Sequence, residues 1–165
     1  MDSIIEFIYR PSSFFHMVLF LALVLAFVLG KAARPMQILT PLLLLRWGLL
    51  EFAMASPDTD MTPLLFVIAA LLDGALMVLG YRLLKHWRAH AAYLKVAASA
   101  AGIMMLCHAS LSAAFALELY TRALGLLFTL ASLCDTGAVL ALLFGLYVSF
   151  KQSGYNQDKT SPHSS

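Results

Sequence analysis

Four ionisable side chains stand near the centres of four long apolar runs: Arg46, Asp73, His108 and Asp135. A charged side chain at the centre of a bilayer costs roughly 2.5–3.5 kcal/mol on insertion scales. Residues of this kind therefore need partners inside a helix bundle. Because each of the four lies near the midpoint of its run, they should meet at one depth. We predict two ion pairs, Arg46 with Asp73 and His108 with Asp135.

Two interpretations of these pairs remain open. An imidazole beside carboxylates suits a relay that moves a proton or an ion, because histidine titrates near neutral pH. The same pairs also suit a structural role, in which they set the register of the helices and select a partner subunit. Glu51 lies five positions from Arg46, on the wrong face of a helix to serve it. We expect Glu51 to face a water-filled vestibule.

Bound cofactors are a further alternative. His16 and His108 could ligate a haem iron, but their predicted depths differ by roughly 7–8 Å on the helix rise, which is too far for one iron. A second set has side chains of metal-ligand type at adjacent positions: Cys107, His108, Cys134 and Asp135. Neighbouring helix residues point about 100° apart, so this set does not converge. We therefore predict no cofactor, no metal and no catalytic residue.

The composition is that of a membrane protein. Of the 165 residues, 61% are hydrophobic and 12% are charged, and the mean hydropathy is +0.84. A soluble domain carries about 25% charged residues. The net charge of +2 is too small to argue for a nucleic-acid partner. The sequence has no phosphate-binding loop, nucleophile elbow or zinc-protease helix, so a membrane enzyme is the least favoured class.

Five apolar runs are separated by charged or proline-containing segments, and each is near or above the roughly 20 residues that a spanning helix needs. They cover residues 14–30, 37–56, 63–84, 93–117 and 123–149. We predict an all-α, polytopic membrane helical bundle with five transmembrane helices over residues 1–150. A disordered tail should follow at 151–165, which has no aliphatic side chain. Before the first run, we expect a short amphipathic helix at the membrane surface that ends at Pro11. A frayed terminus is the alternative.

Lysine and arginine are distributed unevenly between the predicted loops. Two lie on one side, Arg10 and Arg122, and eight on the other: Lys31, Arg34, Arg82, Lys85, Arg88, Lys95, Lys151 and Lys159. Because cytoplasmic loops are rich in these residues, we predict the N-terminus outside and the C-terminus in the cytoplasm. The first run is preceded by acidic and followed by basic residues, the reverse of a signal peptide. Small size and short loops favour a bacterial inner membrane.

An internal similarity suggests a repeat. Residues 64–73 (LLFVIAALLD) and 126–135 (LLFTLASLCD) are identical at six of ten positions, including Asp73 and Asp135. The same shift of 62 residues places Arg46 on His108. We predict a tandem repeat of two-helix units, spans 2–3 and 4–5, related by an axis along the membrane normal. A chance match between leucine- and alanine-rich helices is the alternative.

The leading functional hypothesis is a small integral membrane protein that transports an ion, a proton or a small solute, or a membrane subunit of such a system. The alternative is a non-catalytic accessory or assembly protein whose polar residues bind partner membrane helices. The expected partners are the lipid bilayer and either further copies of the chain or other membrane subunits. The fourth run is rich in small residues, which let helices approach closely. We expect it at the centre of the bundle.

Overall fold

The computed structural model describes residues 2–55, 61–87, 91–119 and 122–160, with side chains over 13–52, 61–87, 92–119 and 122–151. Within these ranges the chain is helical apart from short turns, and it has no strand. The five helices are α1 (Asp2–Val28), α2 (Arg34–Ala55), α3 (Thr62–His86), α4 (Ala91–Ala116) and α5 (Arg122–Thr160). The predicted all-α class is confirmed.

Among the described residues, three helices are long and apolar enough to cross a membrane: Thr62–His86, Ala92–Ala116 and Arg122–Lys151. The described apolar stretch of α1, Ser13–Val28, is shorter. Helix α2 carries Arg34, Arg46 and Glu51 within 22 residues, which lowers its hydropathy. Length and composition therefore support a membrane protein with three candidate spans, where the sequence predicts five.

Helix α1 runs through Pro11 without interruption, so the prediction that Pro11 ends a separate surface helix is wrong. A proline inside a helix removes one backbone hydrogen bond, and helices in membranes tolerate this loss when their surroundings compensate. His16 therefore lies roughly 21 Å along a continuous helix that starts at Asp2. The continuity of α1 fixes the position of His16 in the bundle.

Helix α5 continues to Thr160, past residue 150, where the sequence analysis placed the start of a tail. The first proline after the span is Pro162, so no proline interrupts the helix over this stretch. Residues 161–165 of the predicted tail lie outside the described residues.

Residues in the left-handed conformation follow two of the helices. Gly30 (φ 64°) follows α1 and Glu118 (φ 53°) follows α4. The amide of Lys31 donates to the carbonyl of Ala26 at 2.9 Å, which satisfies a carbonyl at the helix end. Such a turn needs no long loop, and it lets consecutive helices pack side by side.

Helix α4 packs between α3 and α5, while α1 lies against α2 and α5. Helix α4 is the most buried of the three candidate spans, with 50% of its most apolar stretch buried, against 33% in the other two. Helices α3 and α4 approach closely at Gly80, where an added Cβ atom would lie 2.8 Å from the Cβ atom of Ala98. Helix α4 thus packs closely through its small residues, but it lies against two helices where α5 lies against three, so its predicted place at the centre of the bundle is not confirmed.

The bundle has two ends, named here for residues near them. At the Glu51 end, α1, α3 and α5 begin; the Lys31 end is opposite. A large apolar core extends from the middle of the bundle to the Lys31 end and includes Leu23, Met36, Leu39, Leu43, Leu76, Met104 and Leu142. A smaller one lies toward the Glu51 end and consists of Leu50, Phe66, Ala69 and Leu111. The buried ionisable residues lie between these two cores.

Candidate functional site

Each of the five helices contributes one ionisable side chain to a single buried cluster. The members are His16 (α1), Arg46 (α2), Asp73 (α3), His108 (α4) and Asp135 (α5), with exposed fractions of 0, 2, 0, 3 and 7%. The four residues singled out in the sequence are all present and lie together. His16 is the fifth member, which the sequence analysis placed at a different depth from His108.

Arg46 lies at the centre of this cluster, between two carboxylates. Its Nη2 donates a hydrogen bond to Oδ1 of Asp135, and its Nε lies 3.3 Å from Oδ1 of Asp73. The predicted contact between Arg46 and Asp73 is therefore present, and Asp135 is a second partner. A buried guanidinium is stable only when its charge is compensated and its donors are hydrogen-bonded. Carboxylates from two other helices supply the compensating charge.

Each of the two carboxylates also contacts a histidine. His108 Nδ1 lies 2.6 Å from Oδ2 of Asp73, and His16 Nε2 lies 3.3 Å from Oδ1 of Asp135. Among the described contacts His108 thus pairs with Asp73, which corrects the predicted pairing with Asp135. The side chains form a continuous chain of contacts in the order His108, Asp73, Arg46, Asp135 and His16.

The surroundings of His16 connect the cluster to the Glu51 end. The imidazole of His16 stacks on the indole of Trp47, with ring centroids 5.0 Å apart and planes inclined by 9°. Trp47 Nε1 donates to Oε1 of Glu51 at 3.0 Å, and the Ser13 hydroxyl donates to the same oxygen at 2.6 Å. Glu51 is half-buried. It is therefore held in place between α1 and α2, and no vestibule is needed to explain its position.

A small cavity lies beside the cluster, on the side of the Glu51 end. Its volume is about 30 Å³, roughly the share of one water molecule in the liquid. The lining residues are Arg46, Trp47, Leu50, Phe66, His108, Phe128, Ala131, Ser132 and Asp135. The rings of Phe66 and Phe128 pack edge to face beside it, with centroids 5.9 Å apart. In this conformation the cavity has room for about one water molecule beside the cluster.

Other polar side chains lie near the cluster without joining it in the described contacts. The Ser112 hydroxyl donates to the carbonyl of Pro63 at 2.8 Å and so connects α4 to α3. Ser132 lines the cavity, and its carbonyl accepts a hydrogen bond from Thr136. A larger groove of about 620 Å³ between α3 and α4 is apolar apart from Ser112 and has no ionisable lining residue. The groove is therefore not a site for chemistry.

The described part of the cluster does not have the arrangement of a metal or haem site. Within the described residues, no group of three or more His, Cys, Asp and Glu side chains is placed to hold a metal ion. Cys107 and Cys134 are free thiols. His16 and His108 stand at opposite ends of the chain of contacts, with Arg46 and two carboxylates between them. This order does not present both imidazoles to one iron.

Three residues of the site were missed in the sequence: Ser13, His16 and Trp47. A signal was present, because Ser13 and His16 are three apart and Trp47 and Glu51 four apart, so that each pair shares a helix face. Treating Pro11 as a helix end left too little helix before His16 to place it at the depth of Asp135. The error in one helix boundary therefore removed one member of the cluster.

Comparison of the chain with protein-family models, with curated proteins and with solved structures finds no match. The functional argument therefore rests on the geometry of the buried cluster and on the chemistry of its side chains.

Proposed function

We propose that this protein is a small multi-span membrane protein that moves protons, or is the membrane subunit of a proton-moving system. The observation that supports it is the buried chain of contacts from His108 through Arg46 to His16. Histidine exchanges protons near neutral pH, and histidine and carboxylate chains inside membranes mark proton relays. The small cavity favours a proton over a solute, since it has room for about one water.

The proposal includes five membrane-spanning helices. Helices α1 and α2 bring His16 and Arg46 into contact with Asp73 of α3 and Asp135 of α5. His108 of α4 contacts Asp73, so all five helices reach the same buried layer. The eight-to-two distribution of lysine and arginine supports an external N-terminus and a cytoplasmic C-terminus. On this orientation the Glu51 end faces outward. Short loops and small size support a bacterial inner membrane as the location.

The proposal also includes the tandem repeat of α2–α3 and α4–α5. Under the shift of 62 residues, Arg46 corresponds to His108 and Asp73 to Asp135. A twofold axis would therefore exchange the Arg46–Asp135 contact with the His108–Asp73 contact, and both contacts are present. Superposition of the two helix pairs should place Asp73 on Asp135. A pair of aspartates at different depths would reject the repeat.

Proton flux into vesicles tests the proposed function. The full chain is purified and reconstituted into vesicles of phosphatidylethanolamine and phosphatidylglycerol that contain a pH-sensitive dye. A potassium gradient with valinomycin then drives protons inward. We expect protein-containing vesicles to acidify faster than empty ones, and His108→Gln to slow this by about a hundredfold, within the range of proton-transfer contributions.

The matched control for this experiment is His86→Gln, since His86 is an exposed histidine at the Lys31 end. It should acidify at the wild-type rate. Wild-type vesicles that behave like empty ones would remove the stand-alone transport function. A His108→Gln protein that is folded and fully active would exclude His108 as the proton carrier.

A second function, that of an accessory protein whose cluster is a scaffold, is favoured by the packing toward the Lys31 end. From Arg46 to Met36, roughly 15 Å along α2, the described core is made of side chains such as Leu39, Leu43 and Leu142. The buried polar side chains on this side of the cluster include Thr40, Tyr93 and Ser149, and the core around them is otherwise apolar. A cluster bordered on one side by a mainly apolar core suits a structural role, in which buried charges fix the assembly of helices.

A further inference from the structure

Arg46 is shared between two carboxylates, and each carboxylate has a histidine as its other partner. Asp73 presents Oδ1 to Arg46 and Oδ2 to His108. Asp135 presents Oδ1 to both Arg46 and His16. At each carboxylate, an imidazole and the same guanidinium therefore compete for one negative charge.

A proton on either imidazole would change how this charge is divided. The proton comes from a hydronium ion, forms an N–H bond on the ring nitrogen and leaves water behind, and no other bond is broken. A protonated imidazole adds a full positive charge to its contact with the carboxylate, and a neutral imidazole does not. A carboxylate that gains such a partner competes less for Arg46, so the guanidinium shifts toward the other carboxylate.

The contacts in the structure are unequal in the way this competition requires. His108 lies 2.6 Å from Asp73, and Arg46 donates a hydrogen bond to Asp135. The other two contacts, from Arg46 Nε to Asp73 and from His16 to Asp135, are both 3.3 Å. Each carboxylate thus has one near and one more distant partner, and the near partner is the imidazole at Asp73 and the guanidinium at Asp135.

We propose that the cluster is a two-site proton-binding centre, with His108–Asp73 and His16–Asp135 as its sites and Arg46 as the group that couples them. The inference rests on the proposed function, because it says how the same cluster takes up the proton that is to be moved. It assigns a proton to His16, which the sequence analysis considered only as a haem ligand. It also predicts that the two sites do not bind protons independently.

Titratable and charged groups reach this layer from every helix in the described part of the chain. In order from α1 to α5 they are His16, Arg46, Glu51, Asp73, Cys107, His108, Cys134 and Asp135, with each thiol in the electrostatic field of a nearby aspartate. Of these residue types, only histidine ordinarily titrates between pH 5 and 8. Glu51 is the group that most needs a control, because it accepts a hydrogen bond from Trp47.

Trp47 provides an optical readout of the His16 site. Its indole stacks on the imidazole at 5.0 Å, and a protonated imidazole in such contact quenches indole fluorescence more strongly than a neutral one. The chain has two tryptophans, so Trp87→Phe leaves Trp47 as the only reporter. Proton binding at His16 can then be followed without any transport measurement.

The experiment records Trp47 emission between pH 5 and 8 for the full Trp87→Phe chain in nanodiscs of phosphatidylethanolamine and phosphatidylglycerol. We expect a titration that His16→Gln abolishes. His108→Gln should move its midpoint by about half a pH unit or more, a roughly threefold change in proton affinity, because the two sites share Arg46. His86→Gln is the matched control and should leave the midpoint in place.

Three results would overturn the proposal. The His16 site is rejected if the emission does not change with pH, or if the transition persists in His16→Gln. A transition that persists in His16→Gln and is lost in Glu51→Gln would belong to the Glu51 carboxylate. An unchanged midpoint in His108→Gln rejects the coupling. If His108→Gln does not fold, His108→Asn replaces it; it likewise removes the imidazole and its charge, so the same shift is expected. Coupled titration in a protein that moves no protons would overturn the proposed function alone.

Discussion

At the scale of single residues, Arg46 decides whether the cluster is stable. It is 2% exposed and contacts carboxylates from two other helices. Removing one member of a buried ion pair is costly because the remaining charge stays buried without compensation, whereas removing all of the charges can be neutral. The three residues Arg46, Asp73 and Asp135 therefore have to be changed together if their role is structural.

We expect Arg46→Met to lower the free energy of unfolding by about 3–5 kcal/mol, because it leaves two buried carboxylates without their shared cation. The triple variant Arg46→Met, Asp73→Leu, Asp135→Leu should recover much of this loss. Thermal unfolding in detergent and the fraction of monodisperse protein measure both effects. Arg82→Met, at an exposed arginine, is the control and should unfold like the wild type.

The triple variant also separates the two proposed functions. If it folds and still supports the activity of the wild type, the charges are a scaffold and the relay loses its central residues. If it folds and is inactive, the charges belong to the mechanism. Wild-type stability in Arg46→Met itself would contradict the burial argument.

At the scale of helices, the contact between α3 and α4 depends on glycine. A Cβ atom at Gly80 would lie 2.8 Å from the Cβ of Ala98, and the neighbouring backbone is close behind it. Small residues at such crossings let helices pack by van der Waals contact, which is the main force between helices in lipid. The same two helices carry Asp73 and His108, so their separation bears directly on the cluster.

Gly80→Ala should destabilise the protein by about 1–3 kcal/mol, the usual cost of overpacking, because α3 and α4 must move apart. Gly48→Ala is the matched control, since nothing lies within 4 Å of a Cβ atom at that position. It should be neutral or stabilising by up to about 1 kcal/mol, because alanine is the better helix former. Thermal unfolding of the two variants side by side gives the comparison, and a Gly80→Ala protein as stable as Gly48→Ala would refute the close approach.

At the scale of the whole molecule, the direction of the bundle in the membrane decides which solution reaches the Glu51 end. A reporter enzyme active only in the cytoplasm, fused to the C-terminus, should be active. In a Cys107→Ala, Cys134→Ala background, Asp58→Cys should react with an impermeant thiol reagent added outside intact cells. This follows from the excess of lysine and arginine in the loops on the other side. An inactive fusion or a protected Asp58→Cys would reverse the assignment.

Much of the architecture follows from the sequence alone. Helix positions from the second to the fourth run agree with α2, α3 and α4 to within three residues, because apolar length and the charged segments between runs are local properties. The buried position of Arg46, Asp73, His108 and Asp135 also follows, since an ionisable residue in an apolar run has to face the bundle interior. The prediction at Pro11 was wrong because the hydrogen bond that a proline removes is a local cost, whereas the continuity of α1 depends on the surrounding bundle.

Only the tertiary structure decides which of these groups pair. The depth of a residue along a helix follows from counting residues, but the rotation of the helix about its axis and the identity of its neighbouring helices do not. These two properties determine that His108 contacts Asp73 while Asp135 contacts His16. The depth of Arg46 in the bundle could be predicted, but its position between two carboxylates could not. Its second partner, Asp135, is 89 residues away in the chain. The amino-acid sequence thus determined that buried charges must be paired, and the packing of five helices determined the pairs.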